Sequence, residues 1–257
     1  MSQVEPWVVS LLVRKIKYFA VLFMVVGVAL LSLALAADAV AQKILIQDGF
    51  ENHPLDKLDK HPLLKGLGFK ITNKPVKTGK KSFAISGKAL VHTYGIPIRT
   101  DEPITSVECW VYIEKGGRSF SLKLTSNDES FDNRGPDVGW DTGFVQFYAH
   151  DRWQEIGKFA INEWRYIRIV ANFDKNVFDF YSGGSKREVL RARPKERIPF
   201  RMKAAGPAAT SIVFSMERST VPGYIDDLIV YEGENPIVLA VEPNRKLATV
   251  WGHIKQQ

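Results

Sequence analysis

Apolar and polar residues alternate along much of the chain after residue 41. In the segment 119–125, Phe120, Leu122 and Leu124 occupy every second position, and Ser, Lys or Thr stands between them. Successive side chains of a β-strand point to opposite faces of the sheet. The alternation therefore predicts a strand with one face in a core.

Other segments share this strand character. They are rich in Val, Ile, Phe, Tyr, Trp and Thr, and Gly, Asn, Asp and Pro separate them: 43–47, 69–72, 82–86, 90–98, 104–114, 143–149, 153–159, 164–173, 177–181, 212–217 and 224–232. Asp174, Lys175 and Asn176 between two such segments indicate a tight hairpin. Because strand and loop lengths are uneven, we expect an all-β, two-sheet antiparallel jelly-roll sandwich rather than a closed barrel.

Three stretches depart from this pattern. The polar segment 127–141 is expected to be a long loop, a common place for binding residues on a sandwich. The segment 186–203 is rich in Lys and Arg, and it is either a solvated hairpin or a grip for uronate or sulfate groups. In the tail, Leu247, Val250, Trp251 and Ile254 share one face of a short helix that docks on the sandwich or attaches to a partner.

The first 41 residues have the three parts of a secretory signal. Arg14, Lys15 and Lys17 precede an uncharged apolar run at 18–37, and Ala39 and Ala41 flank Val40 as in an A-x-A cleavage site. The alternative is a retained membrane anchor, since about 20 apolar residues can span a bilayer. We therefore expect an extracytoplasmic protein with a signal segment at 1–41, a sandwich domain at 42–233 and a tail at 234–257.

Composition and charge narrow the set of partners. The chain has 257 residues, 45% hydrophobic, with a net charge of +7, which suits an anionic glycan or an envelope surface. Nucleic acid is not expected, because export removes the usual target and no recognised binding motif is present. Cys109 is the single cysteine, so an intramolecular disulfide is excluded, and its apolar surroundings predict a buried side chain.

Several short motifs resemble the concanavalin A-like lectin/glucanase superfamily, including its laminin-G-like and MAM-like domains. The segment from Trp164 to Asp174, continuing to Gly183, is similar to the W-x-x-(V/I)-(R/K)-(I/V)…D…(Y/F)-x-(V/L)-Y-x-x-G hairpin of that superfamily. Phe50-Glu51 near the start, Ile225-Asp226-Asp227 near the end, and the central strand at 104–112 resemble its other motifs. The resemblance implies a jelly-roll fold but no single activity, because the fold carries lectins, hydrolases, lyases and adhesion modules.

The resemblance also implies a structural calcium site. The first and last strands of a jelly-roll commonly lie side by side, which would bring Asp48 and Glu51 close to Asp226 and Asp227. Calcium takes six to eight oxygen ligands, and converging carboxylates repel one another without a cation. The alternative is that these side chains only accept backbone hydrogen bonds. The five histidines have no paired spacing for a transition metal.

A ligand-binding face is predicted on the strand at 104–114. Alternation places Glu108, Trp110, Tyr112 and Glu114 on one face, an arrangement in which aromatic rings stack on a sugar and carboxylates accept its hydroxyl groups. Three residues of other strands are expected to join this face: Gln146, Tyr148 and Trp153. The alternative is that Trp110 and Tyr112 pack into the protein.

Catalysis has weaker support. The Glu-x-Asp-x-x-Glu string of retaining glucanases is absent, and Glu108 and Glu114 would lie roughly 20 Å apart along a strand, too far for a hydrolytic pair. His92, Tyr94, Tyr148 and His150 are raw material for a lyase. We therefore expect a non-catalytic module that binds carbohydrate or a cell-surface partner. The alternatives are a polysaccharide lyase or glycoside hydrolase, and an adhesion domain without a small ligand.

Overall fold

The computed structural model describes residues 42–52, 69–87, 92–116, 120–126, 134–141, 143–216 and 219–236. The predicted signal segment at 1–41 and the predicted short helix at 247–254 lie outside these residues. The described residues form fourteen strands: β1 (Ile44–Asp48), β2 (Phe69–Thr72), β3 (Ser82–Gly87), β4 (His92–Pro97), β5 (Ile104–Ile113), β6 (Phe120–Thr125), β7 (Asp137–Asp141), β8 (Phe144–Ala149), β9 (Arg152–Lys158), β10 (Trp164–Asn172), β11 (Val177–Gly183), β12 (Lys195–Pro199), β13 (Ser211–Met216) and β14 (Ser219–Glu232).

These strands form two antiparallel sheets, which confirms the predicted sandwich. The eight-stranded sheet has the order β12-β11-β10-β5-β14-β3-β2, and β1 also pairs with β14. The six-stranded sheet has the order β4-β13-β6-β7-β8-β9. The described part of the chain has one helix, α1 (Lys186–Val189), and no helix there is long and apolar enough to cross a membrane.

The core lies between the two sheets. On β5, Val107, Cys109, Val111 and Ile113 are buried in it, and on β6 the same is true of Phe120, Leu122 and Leu124. Cys109 is fully buried, as predicted, and this burial raises the pKa of its thiol. By alternation, the side chains between these positions lie on the outer faces of the sandwich.

The strand β14 changes partner along its length. Its first half pairs with β3 up to Ile225, and its second half pairs with β1 from Leu228 onwards. Between them, the pairing with β5 has a bulge from Asp226 to Ile229, and Asp227 has a left-handed backbone with φ of 48°. A β-bulge adds a residue to one strand and redirects its side chains. The side chains of Asp226 and Asp227 therefore do not follow the alternation of a regular strand.

Two strands were missed by sequence reasoning. The strand β7 lies inside the segment expected to be a loop, because Asp137 and Asp141 at its ends and Gly139 at its centre lack strand character. The strand β12 lies inside the basic segment 186–203, where only Ile198 of its five residues is buried. In both cases the partner strands, rather than local propensity, determine the structure.

Candidate functional site

The predicted ligand-binding residues do not form one site. Glu108, Trp110 and Tyr112 lie on the outer face of the eight-stranded sheet, where β5 pairs with β10 and β14. Gln146 and Tyr148 on β8, with Trp153 on β9, belong to the six-stranded sheet. The expectation that they join the β5 face is wrong, because β8 and β9 are not neighbours of β5 in either sheet.

Glu108 is the centre of a buried polar network rather than a surface acid. It is fully buried, and its carboxylate accepts hydrogen bonds of 2.6 Å from the hydroxyl groups of both Tyr166 and Tyr231. Arg168 Nε and Lys186 Nζ each lie 3.5 Å from a carboxylate oxygen. Burial, and then the neighbouring carboxylate, raises the pKa of both tyrosines, so both remain protonated donors.

Trp110 and Tyr112 are half-buried and packed against aromatic neighbours. The ring of Trp110 lies 5.0 Å from that of Tyr166, and the ring of Tyr112 lies 5.4 Å from that of Trp164. The Lys77 ammonium sits 4.0 Å from the centre of the Trp110 ring, a cation–π contact that covers one of its faces. These contacts leave no open aromatic platform on β5.

A pocket of about 480 Å³ lies beside Trp110, above the bulge of β14. We call it the Trp110 pocket. Its lining combines both signs of charge with apolar surface: Gln47, Asp48, Gly49, Thr78, Trp110, Tyr166, Lys186, Asp227, Leu228 and Ile229. Its volume falls within the roughly 300–1,000 Å³ typical of small-molecule sites.

The strands β1 and β14 pair, which confirms the expected contact of first and last strands, and the predicted calcium ligands Asp48, Glu51 and Asp226 lie on or next to these strands. Asp226 Oδ2 accepts hydrogen bonds from the backbone N–H groups of Lys77 and Thr78, at 2.9 and 3.0 Å. Glu51 Oε1 accepts from Lys80 and Lys81 N–H, at 2.8 and 2.9 Å. The loop between β2 and β3 therefore binds both carboxylates through its backbone N–H groups.

These carboxylates have backbone donors as partners rather than one another. Asp48 Oδ1 accepts from Phe50 N–H at 2.6 Å, and Asp226 Oδ1 accepts from Asp227 N–H at 2.9 Å. Among the residues that the structure describes, no three His, Cys, Asp or Glu side chains group as metal ligands. Side chains alone do not supply a calcium cage in this arrangement, and the calcium site stays a prediction.

Burial raises the pKa of Asp226 to about 6, with the charge of Asp227 adding to the effect. The three backbone N–H groups act in the opposite direction but do not offset the burial. Asp226 thus holds a proton more readily than an ordinary aspartate.

A second group of side chains lies on the outer face of the six-stranded sheet. We call it the Trp153 face and define it by Lys123, Asp137, Gln146, Tyr148, Trp153 and Arg201. The side chain of Trp153 is 42% exposed, and its ring lies 5.3 Å from that of Tyr148 in an edge-to-face arrangement. Ring atoms of Trp153 would come within 2.9 Å of a Cβ at Gly139, so glycine at this position lets the indole lie on β7.

Charged residues flank this aromatic pair. The guanidinium carbon of Arg201 lies 3.9 Å from the centre of the Tyr148 ring, and Arg201 Nη1 donates to Asp137 Oδ2 at 3.2 Å. Lys123 Nζ lies 3.6 Å from the same oxygen. Asp137 is buried, and its Oδ1 has no hydrogen-bond partner within the described residues. Burial raises the pKa of Asp137 although both cations lower it.

Sequence reasoning missed Lys123 and Asp137, and it considered Arg201 only as a member of the basic segment 186–203. Lys123 was visible as the one charged residue at an outward position of β6, but its partners lie in segments expected to be loop and solvated hairpin. Gln146 and Tyr148 are half-buried on the neighbouring β8. The side chains of His92 and Tyr94 lie outside the described part of the structure.

The fold and these two faces define the chain as an antiparallel two-sheet β-sandwich with aromatic and charged side chains on both outer faces. No protein-family model and no curated protein sequence matches it. A sialidase is similar in structure, with 10% identity and a TM-score of 0.50 over 74% of this chain and 19% of that chain.

Two further solved structures have lower TM-scores. The cellulose-induced protein Cip1 has 11% identity and a TM-score of 0.47, over 72% of this chain and 96% of that one. The binding domain of botulinum neurotoxin serotype D has 13% identity and a TM-score of 0.44, over 82% and 51%. At 10% identity, the similarity to the sialidase shows a shared fold and nothing about the ligand.

The substitution Glu108→Gln should destabilise the protein by about 3–5 kcal/mol, because it leaves the buried Arg168 without its charged partner. Chemical unfolding of the purified protein measures this change. Glu114→Gln, one residue after the end of β5, is the matched control. Glu114 is only half-buried and accepts a 2.7 Å hydrogen bond from Tyr224, which Gln can also accept. A loss under about 1 kcal/mol is expected there, and equal losses at both positions would contradict the network's role.

Proposed function

We propose that this chain is an exported, non-catalytic β-sandwich module of the concanavalin A-like kind that binds glycan through the Trp153 face. The observation that carries the proposal is the exposed indole of Trp153, held edge-to-face against Tyr148 and flanked by Arg201. The fold alone does not carry it, since the same sandwich serves many functions.

The aromatic part of the face suits the apolar side of a sugar ring. Trp153 keeps 42% of its surface exposed although it is large and apolar, whereas Trp140 on β7 of the same sheet is buried in the core. An indole exposed on a rigid strand loses little conformational entropy when a ligand stacks on it. Trp110 is less suitable because Lys77 covers one face of its ring.

The polar part of the face suits hydroxyl and acidic groups. Lys123 and Arg201 both converge on Asp137, so two cations stand beside one buried carboxylate. The guanidinium of Arg201 has five N–H donors, and those that do not contact Asp137 can pair with an acidic substituent. The amide of Gln146 can donate and accept hydrogen bonds with hydroxyl groups. The overall charge of +7 agrees with an anionic glycan or cell-surface partner.

The substitution Trp153→Ala should weaken glycan binding by about 1–3 kcal/mol, since it removes the stacking surface. The free energy of unfolding should fall by roughly 0.5–3 kcal/mol, because the indole also packs on Gly139 and against Tyr148, and the protein should remain folded. Binding is measured on a glycan array and then by calorimetry, and stability by chemical unfolding. Ile44→Ala, at 41% exposure on the other sheet, is the matched control.

Three outcomes would contradict this proposal. Unchanged glycan binding in the Trp153 variant would remove the face from the site. Absence of any glycan ligand would favour an adhesion domain. Release of reducing or unsaturated sugar ends by the wild-type protein would favour a hydrolase or lyase.

We also propose export with cleavage after Ala41, supported by the basic start, the apolar run and the A-x-A pattern at 39–41. Intact-mass analysis of protein made in an exporting host should then give a chain that begins at Gln42. A mass that includes residues 1–41 would instead indicate a retained anchor.

Calcium at the seam of β1 and β14 is part of the same proposal, with Asp48, Glu51 and Asp226 as ligands. Support comes from one loop that binds the carboxylates of both Asp226 and Glu51. Backbone carbonyls and water would have to complete the coordination. The bound ion would hold this loop against the last strand.

Calcium should raise the melting temperature more at pH 7.5 than at pH 5, because the proton on Asp226 competes with the ion below its pKa of about 6. Without calcium, the raised pKa of Asp226 makes the protein less stable as the pH rises. The contribution of Asp226 is fully present below its unfolded pKa near 3.8 and is lost as the pH rises through about 6. Thermal melts in EDTA and in millimolar calcium at both pH values measure this. Equal melting temperatures in EDTA and in calcium would exclude the calcium site.

A further inference from the structure

The Trp110 pocket is separate from the Trp153 face, because the two lie on the outer faces of different sheets. Its volume of about 480 Å³ is ample for a single sugar ring. It lies where β14 exchanges β3 for β1, so its walls come from β1, β5, β10, the bulge of β14 and the start of α1. The charge and the polarity of these walls indicate which ligand fits the pocket.

Lys186 forms the cationic wall. Its ammonium lies 3.5 Å from Glu108 Oε2 and 5.8 Å from the centre of the Tyr166 ring. Glu108 is fully buried and also receives Arg168 and two tyrosine hydroxyl groups, so the acid is neutralised without Lys186. Glu108 therefore fixes the position of the Lys186 ammonium, and the remaining donors of this group are available to a ligand.

The other side of the pocket offers acceptors. Asp227 projects from the bulge, and its Oδ1 accepts a 2.8 Å hydrogen bond from the Thr78 hydroxyl group. A carboxylate has about four acceptor positions, so Asp227 can also receive hydroxyl groups of a ligand. Trp110 and Ile229 add apolar surface between the two sides. The Lys77 ammonium on the Trp110 ring places a second cation beside the pocket.

We propose that the Trp110 pocket binds one carboxylate-bearing sugar residue. The sugar's carboxylate pairs with Lys186, its hydroxyl groups donate to Asp227, and its ring lies on the apolar surface between them. A neutral sugar offers no charged partner to the donors of Lys186 that Glu108 leaves available, and a small anion leaves Asp227 and the apolar surface without contacts. This site does not depend on glycan binding at the Trp153 face.

Calorimetry of the wild-type protein with D-glucuronate, D-glucose and acetate tests the ligand class. Glucuronate should bind at least about tenfold more tightly than either of the others, the difference expected for one charge-assisted hydrogen bond. Its affinity should also fall as salt increases. Absence of glucuronate binding would overturn the proposal. Acetate binding as tight as that of glucuronate would overturn it as well, since the site would then recognise an anion and not a sugar.

Substitutions of Lys186 test whether glucuronate binds in the Trp110 pocket. Lys186→Met keeps the apolar stem and should lower glucuronate affinity about 10- to 100-fold. Lys186→Arg should retain most of the affinity. Lys115→Met, at an exposed position after β5, should leave it unchanged. If Lys186→Met does not fold, as judged by circular dichroism, Thr78→Val replaces it as the pocket variant, and retention of full affinity there would contradict the proposal.

Trp153→Ala separates this inference from the proposed function. It should leave glucuronate binding at its wild-type affinity, because Trp153 lies on the other sheet. Loss of glucuronate binding in this variant, with Lys186→Met unaffected, would move the acid-binding site to the Trp153 face and overturn the inference. A glycan array without hits, together with glucuronate binding that depends on Lys186, would instead reject only the proposed function.

Discussion

The bulge of β14 opposite β5 is the constraint on which the outer face of the eight-stranded sheet depends. A regular strand would continue its pairing with β3, and its side chains would alternate without interruption. The extra residue between Asp226 and Ile229 lets β14 leave β3 and pair with β1. It also directs Asp226 towards the loop N–H groups and Asp227 towards the Trp110 pocket. The seam and the pocket thus have one structural origin.

The network around Glu108 adds a second constraint on the same face. Burying a carboxylate costs several kcal/mol unless charges and hydrogen bonds compensate it, and well-packed hydrophobic residues in place of the whole network would often be at least as stable. Two tyrosine hydroxyl groups and two cations converge on this single acid. We infer that the acid serves to position side chains. Of its partners, Tyr166 and Lys186 line the pocket, and Lys186 is the charged one of the two.

Much of the fold could be predicted from the sequence, because alternation reports which side chains face the core. The strands β5, β6 and β10 were predicted to within about a residue, since Val, Ile, Leu and Phe alternate along them or fill them. The strands β7 and β12 could not, because their stability comes from neighbouring strands. The grouping of site residues failed for a related reason. Alternation gives the face of a strand but not its sheet, so Tyr148 and Trp153 were placed beside Trp110.

The two outer faces differ in how much of a tryptophan side chain each leaves exposed, and this difference bears on the kind of ligand that each face suits. On β5, Trp110 meets the ring of Tyr166 and the ammonium of Lys77, so the protein's own groups cover part of the ring and the remainder lines the Trp110 pocket. On β9, Trp153 meets Tyr148 at its edge, and 42% of its side chain stays in solvent. Exposing that much apolar surface costs free energy that burial by a partner would recover. A stacking ligand is thus better matched to the six-stranded sheet, and a small charged ligand to the pocket on the other.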